Sequence, residues 1–296
     1  MSETKCSFIA LIGSPNAGKS TLLNQLIGSK ISIVSPKVQT TRNIIHGITI
    51  HEDSQLIFVD TPGIFHHKVS KKLEQAIVSQ AWSGISGVNQ IAVLVDAKRG
   101  ICENTQLIIQ GLKNKNIRAE LILNKTDLVK KPELLALAKQ LQQYEIFNNI
   151  FMVSALKNDG IFELKQFFAK QASPGPWLYP EDEMTTIPKR FLAAEIVREK
   201  LFLFLQNELP YNLTVVTDTW EELDNNSAKL HQTIYTNRAS HKKIIIGQNG
   251  QMLKKVGETA RLELEKLFDQ KIHLFLFVKI RENWMDKDEL MPISSH

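Results

Sequence analysis

The sequence predicts an α/β domain with a mostly parallel sheet and helices on both faces, followed by a smaller α+β domain. Two observations support this prediction. Up to residue 172, apolar runs of strand length alternate with amphipathic helical patterns, as they do in parallel sheets covered by helices. After a proline-rich stretch, a long helical pattern precedes two strand-like runs, a glycine-containing turn, a second helix and a last strand.

The composition is that of a globular chain of 296 residues, with 43% hydrophobic and 23% charged residues. No apolar run approaches the ~18 residues that suggest a membrane span, and the N-terminus lacks the long apolar core of a signal peptide. Cys6 and Cys102 have neither the spacing of a metal site nor that of a disulfide framework. We therefore expect a cytoplasmic protein.

Six apolar runs of strand length define the first domain, which we predict to span residues 1–172. They lie at 7–13, 43–51, 55–60, 90–96, 119–124 and 150–155. Amphipathic helical patterns occupy 72–82 and 133–143. The next segment, 173–188, contains four prolines, which exclude a continuous helix or a central strand. We predict that it is a linker or a wrapping connection.

The second domain is predicted to span residues 189–285, with residues 286–296 as a tail. Its first helix and its three strands are predicted at 189–210, 212–220, 230–237 and 271–280. A second amphipathic helix follows the GQNG segment at 247–250. The resulting order, α-β-β-α-α-β, differs from that of the first domain, so the chain is not a repeat.

The segment GSPNAGKST follows the first predicted strand and begins the first predicted helix. It matches the pattern G-x-x-x-x-G-K-[ST] in the strand–loop–helix context that a phosphate-binding loop needs. In such loops backbone N–H groups surround phosphate oxygens, the lysine contacts the β- and γ-phosphates, and the next hydroxyl holds Mg²⁺. The predicted nucleotide contacts of this loop are Gly13, Asn16, Ala17, Gly18, Lys19, Ser20 and Thr21.

Three later motifs, DTPG, NKTD and SALK, favour guanine over adenine. Asp60 is placed to hold Mg²⁺ through water, and the Gly63 amide can contact a γ-phosphate. The Asp127 carboxylate can accept hydrogen bonds from the N1–H and 2-amino groups of guanine, which adenine does not offer. The Ala155 amide is available to the guanine carbonyl. The predicted contacts of these motifs are Asp60, Gly63, Asn124, Lys125, Asp127, Ser154 and Ala155.

In this order the motifs resemble the translation-factor-like class of P-loop GTPases. The resemblance covers residues 7–170 and implies that QTTR, at 39–42, is switch I. It also implies that Thr41, in preference to Thr40, coordinates Mg²⁺ together with Ser20 and Asp60. The residues it assigns to catalysis are Lys19, Thr41 and Gly63.

The mechanism of hydrolysis is expected to depend on other groups. Ile64 occupies the position where many GTPases have a water-orienting glutamine, so we expect slow intrinsic hydrolysis set by ordering of the loops. In GTPases with loops similar to GxPNxGKS, an asparagine at the position of Asn16 helps to bind K⁺. Asn16 either does so here or only shapes the loop.

The GQNG segment is predicted to contact nucleic acid. A helical pattern follows it, which disfavours a hairpin, and it lacks the GK[ST] of a phosphate loop. Residues 225–257 include six Lys or Arg and no Asp or Glu, which indicates an anionic partner. The GXXG loop of a KH domain, which clamps a nucleic-acid backbone, fits both observations. The predicted RNA contacts are Lys242, Lys243, Gly247, Gln248, Asn249, Gly250, Lys254 and Lys255. We also expect Ile244, Ile245 and Ile246 in the core.

A P-loop GTPase joined to a KH domain with VREK at 197–200, ELPY at 208–211 and VKIRENW at 278–284 resembles the Era family of bacterial GTPases. The resemblance covers nearly the whole chain. It implies hydrolysis of GTP to GDP and phosphate, binding near the 3′ end of small-subunit ribosomal RNA, and a role in 30S maturation.

The resemblance also implies peripheral contact with the inner face of the cell membrane, and we expect a monomer. The alternative is a GTP-regulated scaffold at the cytoplasmic membrane whose KH fold binds protein or lipid. A steep loss of RNA affinity with salt would separate RNA binding from this alternative, because phosphate neutralisation is salt-dependent.

Overall fold

The computed structural model describes residues 3–35, 37, 44–64, 82–206 and 209–282. The chain divides into two compact units, Met1–Ser32 with Thr41–Thr186, and Ile33–Thr40 with Ile187–His296. The predicted switch I at 39–42, the helix at 72–82 apart from its last residue, and the tail at 286–296 lie outside the described residues.

A mostly parallel sheet forms the centre of the first unit, as predicted. Its strands are β1 (Lys5–Gly13), β2 (Ile45–His51), β3 (Ser54–Asp60), β4 (Gln90–Asp96), β5 (Ala119–Asn124), β6 (Phe147–Val153) and β7 (Ser173–Pro174). The order is β2-β3-β1-β4-β5-β6, with β7 beside β1. β2 and β7 pair antiparallel and the other described strands pair parallel. The carboxyl ends of β1, β3, β4 and β5 therefore meet at one edge, where such sheets bind ligands.

Helices cover the sheet because its central strands are apolar on both faces. Every residue of β3 and of β5 is buried, which is typical of parallel strands between two helical layers. The helices are α1 (Lys19–Ile27), α2 (Glu103–Asn114), α3 (Lys131–Gln142) and α4 (Ile161–Lys170). α2 buries Thr105, Ile108, Ile109 and Leu112, a stripe with the helical period.

The proline-rich segment is hydrogen-bonded to the first unit. Leu178 N donates to Gln55 Oε1 at 2.8 Å, and Gln55 Nε2 donates to Tyr179 O at 2.7 Å. Further on, Thr185 Oγ1 donates to His46 O at 2.7 Å. The segment thus wraps around the sheet edge up to the change of unit after Thr186. The boundaries at 172 and 188 stay predictions.

The second unit has the predicted order α-β-β-α-α-β. Its elements are α5 (Lys189–Phe204), β8 (Leu213–Leu223), β9 (Ser227–Thr236), α6 (Ala239–Ile246), α7 (Gln251–Phe268) and β10 (Lys271–Ile280). The sheet order is β10-β9-β8, with β10 parallel to β9 and β8 antiparallel to it. The parallel pair needs a crossover, and α6 and α7 provide it.

Helix α5 is buried on nearly all sides, including charged residues. Arg198 is 2% exposed, and its Nε donates to Glu195 Oε1 at 2.6 Å. Glu199 Oε1 accepts a hydrogen bond from Val34 N at 2.7 Å, and Lys37 Nζ donates to the carbonyl oxygens of Phe202 and Leu205. These bonds explain why the segment 33–37 groups with the second unit, which the sequence patterns did not indicate.

The prediction that three consecutive isoleucines lie in the core was wrong for one of them. Ile245 is fully buried, but Ile244 is 54% exposed and Ile246 is partly buried. Consecutive residues of a helix point in directions about 100° apart, so a helix that packs one face on a core cannot bury all three equally.

Among the described helices, none combines the length and the apolar character that a membrane span requires.

Candidate nucleotide site and nucleic-acid interface

The phosphate-binding loop joins the end of β1 to the start of α1. Gly18 has a left-handed backbone with φ 97°, which glycine adopts without strain. A Cβ atom at Gly18 would lie 2.2 Å from Asn124 Nδ2, so a side chain there would displace the base-recognition motif. Asn16 is also left-handed at φ 64°, a conformation that asparagine tolerates. Ala17 is fully buried, and Thr21 is partly buried in the first turn of α1.

Lys19 lies inside this loop and is 6% exposed. Its Nζ donates to Gly13 O at 3.0 Å and to Ser14 O at 3.2 Å. Burial lowers the pKa of the Lys19 ammonium to about 8, although the nearby Asp60 carboxylate acts in the opposite direction. A phosphate group is a stronger partner than two carbonyls, so phosphate binding should hold the proton on Lys19 more firmly.

The residues predicted to hold Mg²⁺ lie together. Ser20 Oγ donates to Asp60 Oδ2 at 2.9 Å, and Ser32 Oγ donates to the same oxygen at 3.3 Å. Mg²⁺ prefers oxygen ligands and is usually bound by one or two carboxylates together with substrate phosphates, so this donor set fits. Thr41 lies outside the described residues. Ser32 was missed because no motif marks it; only its burial beside Asp60 reveals it.

The DTPG segment lies against the phosphate loop. A Cβ atom at Gly63 would lie 3.0 Å from Pro15 Cα, so the close approach of the two loops needs a glycine. Ile64 N donates to Gly13 O at 3.1 Å, and the Ile64 side chain is fully buried in the hydrophobic core. This side chain is therefore directed into the core and has no polar group with which to orient water.

The base-recognition motifs are joined by hydrogen bonds around Asn124. Its Nδ2 donates to Ala17 O at 2.9 Å, and its Oδ1 accepts from Ala155 N at 3.0 Å. Ser154 Oγ donates to Asp127 Oδ1 at 2.5 Å, which orients the carboxylate predicted to bind guanine. The Ala155 amide is thus engaged with Asn124, whereas we expected it to be available. The buried Asn124 carboxamide oxygen accepts a second hydrogen bond, from Lys125 N at 2.8 Å, so its hydrogen-bonding capacity is met within the two motifs.

Lys125 connects the base-recognition motif to the phosphate loop. Its Nζ donates to Asn16 O at 2.7 Å and pairs with Asp96 Oδ2 at 2.6 Å. Arg99 Nη1 donates to Pro15 O at 3.3 Å. The sequence patterns did not identify Asp96 or Arg99. The position of Asp96 at the carboxyl end of β4 was the one signal, because ligands of parallel sheets collect at such ends.

The GXXG loop is a short turn between α6 and α7. Gly247 and Gly250 have φ of 75° and 77°, and Asn249 between them has φ of 51°. A Cβ atom at Gly247 would lie 2.7 Å from Met252 Cβ, whereas one at Gly250 would meet nothing within 4 Å. The first glycine therefore permits close packing, and the second leaves space in front of the backbone. Gln248 and Asn249 are exposed.

A groove of about 410 Å³ adjoins this loop. Its apolar lining combines Leu253 and Gly257 of α7 with Leu274 and Leu276 of β10. Its polar lining consists of Lys254, Glu258 and Arg261. Gly250 also lines the groove, and of the lining residues Gly250 and Lys254 were predicted. Gly257 could have indicated the groove from the sequence. A glycine inside a helix lowers helix stability by about 1 kcal/mol relative to alanine, so its presence suggests that a side chain there would occupy needed space.

The predicted cations are not all in the groove. The Lys254 side chain is 77% exposed, with Nζ 3.9 Å from Glu258 Oε1. Lys255 Nζ lies 4.4 Å from the centre of the Phe204 ring, so Lys255 packs against α5. Lys243 is exposed and Lys242 partly buried on α6. The structure thus places Lys254 beside the GXXG loop and directs Lys255 to another surface.

The fold and the two loops define a P-loop GTPase followed by a KH domain. A family model described as 50S ribosome-binding GTPase matches residues 8–125, and a KH domain model matches residues 208–285. GTPase Era of Mesorhizobium japonicum is 48% identical over 286 residues, which cover 97% of this chain and 92% of that protein. GTPase Era of Brucella suis is 47% identical with the same coverage. The chain belongs to the GTPase Era family, as the motifs indicated.

Solved structures agree with this assignment. A crystal structure of Era in complex with MgGDPNP and nucleotides 1506–1542 of 16S ribosomal RNA is 35% identical, with a TM-score of 0.91 and 97% coverage of both chains. An Era variant from Aquifex aeolicus bound to GDP and AlF4⁻ has the same identity, TM-score and coverage. The fold class predicted from the sequence is confirmed over both domains.

Proposed function

We propose that this GTPase is a molecular switch that binds the 3′ region of small-subunit ribosomal RNA through its KH domain and assists 30S maturation. The observation that carries the proposal is the open groove beside Gly250, with apolar side chains at its centre and Lys254 and Arg261 in its lining. Such a groove fits a single strand, whose bases pack on the apolar lining while its phosphates approach the glycine loop and the cations.

The related Era complex supports the choice of RNA. That protein was crystallised with nucleotides 1506–1542 of 16S ribosomal RNA, and it matches this chain over 97% of its length. The family model for the first domain has a description that refers to the 50S particle. We favour the small subunit, because the match to the Era complex covers both domains whereas that model covers only residues 8–125.

The first domain would bind GTP with Mg²⁺. Lys19 is placed to contact the β- and γ-phosphates, and Asp127, oriented by Ser154, to accept hydrogen bonds from guanine. Ser20 and Asp60, 2.9 Å apart, would hold Mg²⁺, which neutralises charge on the β- and γ-phosphates when it is bound. We assign K⁺ binding to Asn16 by likeness to similar loops, and Mg²⁺ coordination to Thr41 by likeness to other switch I segments.

A direct chain connection supports coupling between nucleotide and RNA. Residues 33–37 bond to α5 of the second unit through Val34, Glu199 and Lys37, and they lead straight into the predicted switch I at 39–42. Ordering of Thr41 by GTP would therefore act on a segment that is anchored in the RNA-binding unit. Nucleotide can change RNA affinity only if RNA binds one nucleotide state more tightly than the other.

The test is a fluorescence-polarisation titration of a labelled oligonucleotide from the 3′ end of small-subunit ribosomal RNA. It is run with GDP and with a non-hydrolysable GTP analogue. We expect tighter binding with the analogue and a steep loss of affinity as salt rises. Equal affinities would remove the switch, and no binding to either form would favour a membrane scaffold.

Localisation needs a separate measurement. We propose a cytoplasmic protein with peripheral contact at the inner face of the cell membrane, as the family resemblance implies. Flotation with vesicles that contain anionic lipids should recover a fraction of the protein at low salt and less at high salt. Recovery that is independent of both lipid charge and salt would contradict electrostatic contact.

A further inference from the structure

The open face of the second sheet carries two exposed phenylalanines. β10 is an edge strand, and its residues alternate between the core and the open face. Phe275 and Phe277 are 45% and 49% exposed. Their neighbours Ile272 and Val278, on the other face, are buried at 1% and 8%. Two large rings side by side on an open face form an apolar patch, and patches of this kind mark interaction sites more often than single exposed residues do.

The rings are held in place by the next strand. His231 of β9 pairs with Phe275 across the sheet. The His231 ring lies 5.0 Å from the Phe275 ring and 5.9 Å from the Phe277 ring, nearly perpendicular to each. Lys229 Nζ lies 6.0 Å from the centre of the Phe275 ring. These contacts limit the freedom of the rings, so a ligand that stacks on them loses less side-chain entropy.

Positive charge surrounds the rings on this side of the sheet. Lys271, His273 and Lys279 alternate with the phenylalanines along β10, and all three are exposed. The strand itself contains no acidic residue. Two acidic side chains belong to β8, at the opposite edge: Asp218 Oδ2 accepts from Thr233 Oγ1 at 2.6 Å, and Glu221 Oε2 is 4.0 Å from Lys229 Nζ. The β10 side thus favours an anionic partner.

We propose that this face of β10 and β9 is a second site for single-stranded RNA. Bases stack on Phe275 and Phe277, and Lys271 and Lys279 neutralise the phosphates. Aromatic residues on a sheet surface can stack two or three bases in this way, with little dependence on which bases they are. The inference rests on the proposed RNA-binding function and extends the surface assigned to it.

The new face is continuous with the groove beside the GXXG loop. Consecutive residues of β10 alternate between the two surfaces. Leu274 and Leu276 line the groove, whereas Phe275 and Phe277 lie on the open face. An RNA strand that leaves the groove therefore needs only to cross the edge of β10 to reach the rings. A GXXG groove clamps about four nucleotides. The RNA in the related Era complex spans nucleotides 1506–1542, so it is much longer than one such groove can hold.

The test compares two single-stranded RNAs, one of about four nucleotides that fills the groove and one about three times as long. Their affinities are measured by fluorescence polarisation with the full chain and with Phe275→Ala, Phe277→Ala. We expect the longer RNA to bind roughly fivefold more weakly or worse for each ring removed, and the shorter RNA to be unaffected. Phe275→Trp should retain affinity for the longer RNA, and its added fluorescence should be quenched by that RNA.

A matched control is Phe162→Ala. Phe162 of the first unit is 63% exposed and makes an edge-to-face contact with His51 at 5.6 Å, so it matches Phe275 in exposure and in its ring contact but lies in the other unit. It should leave both affinities unchanged. Lys271→Ala with Lys279→Ala should reduce the slope of log affinity against log salt by about 0.7 for each phosphate that the two lysines neutralise, for the longer RNA alone.

Three outcomes would overturn the second site. The first is an equal loss of affinity for both RNAs, and the second is no loss of affinity for either RNA. The third is a change in sedimentation when the rings are removed, which would assign the face to contact between two copies of the chain. If the unaltered protein bound neither RNA, the proposed RNA-binding function would fail first and this inference with it. Thermal unfolding of each variant verifies that the exposed substitutions leave the fold intact.

Discussion

The two glycine loops of this chain, which we propose to bind phosphate groups, lie in opposite surroundings. The phosphate loop is enclosed: Lys19 is 6% exposed, and a Cβ at Gly18 would lie 2.2 Å from Asn124. The GXXG loop is open: Gln248 and Asn249 are exposed, and nothing lies within 4 Å of a Cβ at Gly250. Both loops use left-handed glycines, so backbone conformation alone does not separate their functions.

The difference lies in what surrounds the backbone. Around the enclosed loop, Lys19 and Asp60 are buried and hydrogen-bonded, so their electrostatic interactions are screened less than those of exposed charges. Such a site suits one small ligand of defined shape. Beside the open loop the cations face solvent, so their contribution is screened by salt and the ligand can extend in both directions.

The largest effect is expected at the enclosed loop. Lys19→Ala removes the charged donor placed to contact two phosphates, and we expect GDP and GTP affinity to fall by about a thousandfold. Titration calorimetry measures this loss. Lys139→Ala, on an exposed position of α3, is the control and should bind normally. Retained affinity in the Lys19 variant would contradict the site assignment.

The second effect concerns the choice of base. Asp127→Asn exchanges a double acceptor for a donor and an acceptor, so GTP affinity should fall roughly a hundredfold while xanthosine triphosphate becomes the better ligand. Competition binding with both nucleotides measures the preference. Because the Ser154 hydroxyl can still donate to an amide oxygen, we expect the variant to fold. An unchanged preference for guanine would remove Asp127 from the base site.

The third effect tests the open groove without straining the loop. Gly257 lies within α7 rather than at a left-handed position, and a Cβ there is 3.6 Å from Leu276, an ordinary contact. Gly257→Leu should fill the groove and weaken RNA binding about tenfold or more, while Gly257→Ala should weaken it less. Both should raise thermal stability slightly, since alanine is favoured over glycine in helices by up to about 1 kcal/mol.

The groove variants also carry a check against unfolding. GTP hydrolysis by Gly257→Leu should match that of the unaltered protein. In contrast, Gly247→Asp with Gly250→Asp should weaken RNA binding but also disturbs the packing of Met252, so its melting temperature must be measured alongside. Normal RNA affinity in Gly257→Leu would show that the strand binds elsewhere.

A fourth effect follows from the burial of Lys19, whose pKa in the folded protein is lowered to about 8. Phosphate binding raises this pKa, so GDP affinity is fully present below pH 8 and falls as pH rises above it, by up to tenfold per pH unit. Calorimetry in buffers of different ionisation enthalpy should detect proton uptake above pH 8. RNA affinity measured over the same pH series serves as the comparison. GDP affinity independent of pH would contradict the buried lysine.

The burial of Lys19 has the opposite pH dependence for folding stability, which rises with pH where GDP affinity falls. Because the folded pKa is below the ordinary value of 10.5, Lys19 reduces stability at low pH, and this cost is relieved as pH rises from about 8 to 10.5.

The smallest effect is expected for K⁺. If Asn16 helps to bind K⁺ near the transferred phosphate, GTP hydrolysis should be severalfold faster in KCl than in NaCl at matched ionic strength. Asn16→Ala should remove the difference. Equal rates in both salts would leave Asn16 with the shaping role that its left-handed backbone and its carbonyl bond to Lys125 already support.

The sequence by itself determined the features that depend on local pattern. The strand–loop–helix of the phosphate site, the DTPG and NKTD motifs at strand ends and the α-β-β-α-α-β order all follow from residue type at fixed spacing. Each is encoded within a few consecutive residues, because hydrophobic period, glycine and proline act on their own stretch of chain. The preference for guanine over adenine could also be predicted from the sequence, because it depends on the chemistry of one carboxylate, that of Asp127.

Only the tertiary structure decided which distant residues complete these sites. Asp96 at the end of β4 pairs with Lys125 directly after the adjacent strand β5, Ser32 bonds to Asp60, and Val34 bonds to Glu199 of α5. The groove likewise needs Gly257 of α7 beside Leu274 and Leu276 of β10, and alternation along that strand directs Phe275 to the other face. Such contacts join residues far apart in the chain, and their partners are set by the packing of whole helices and strands, which no local spacing records.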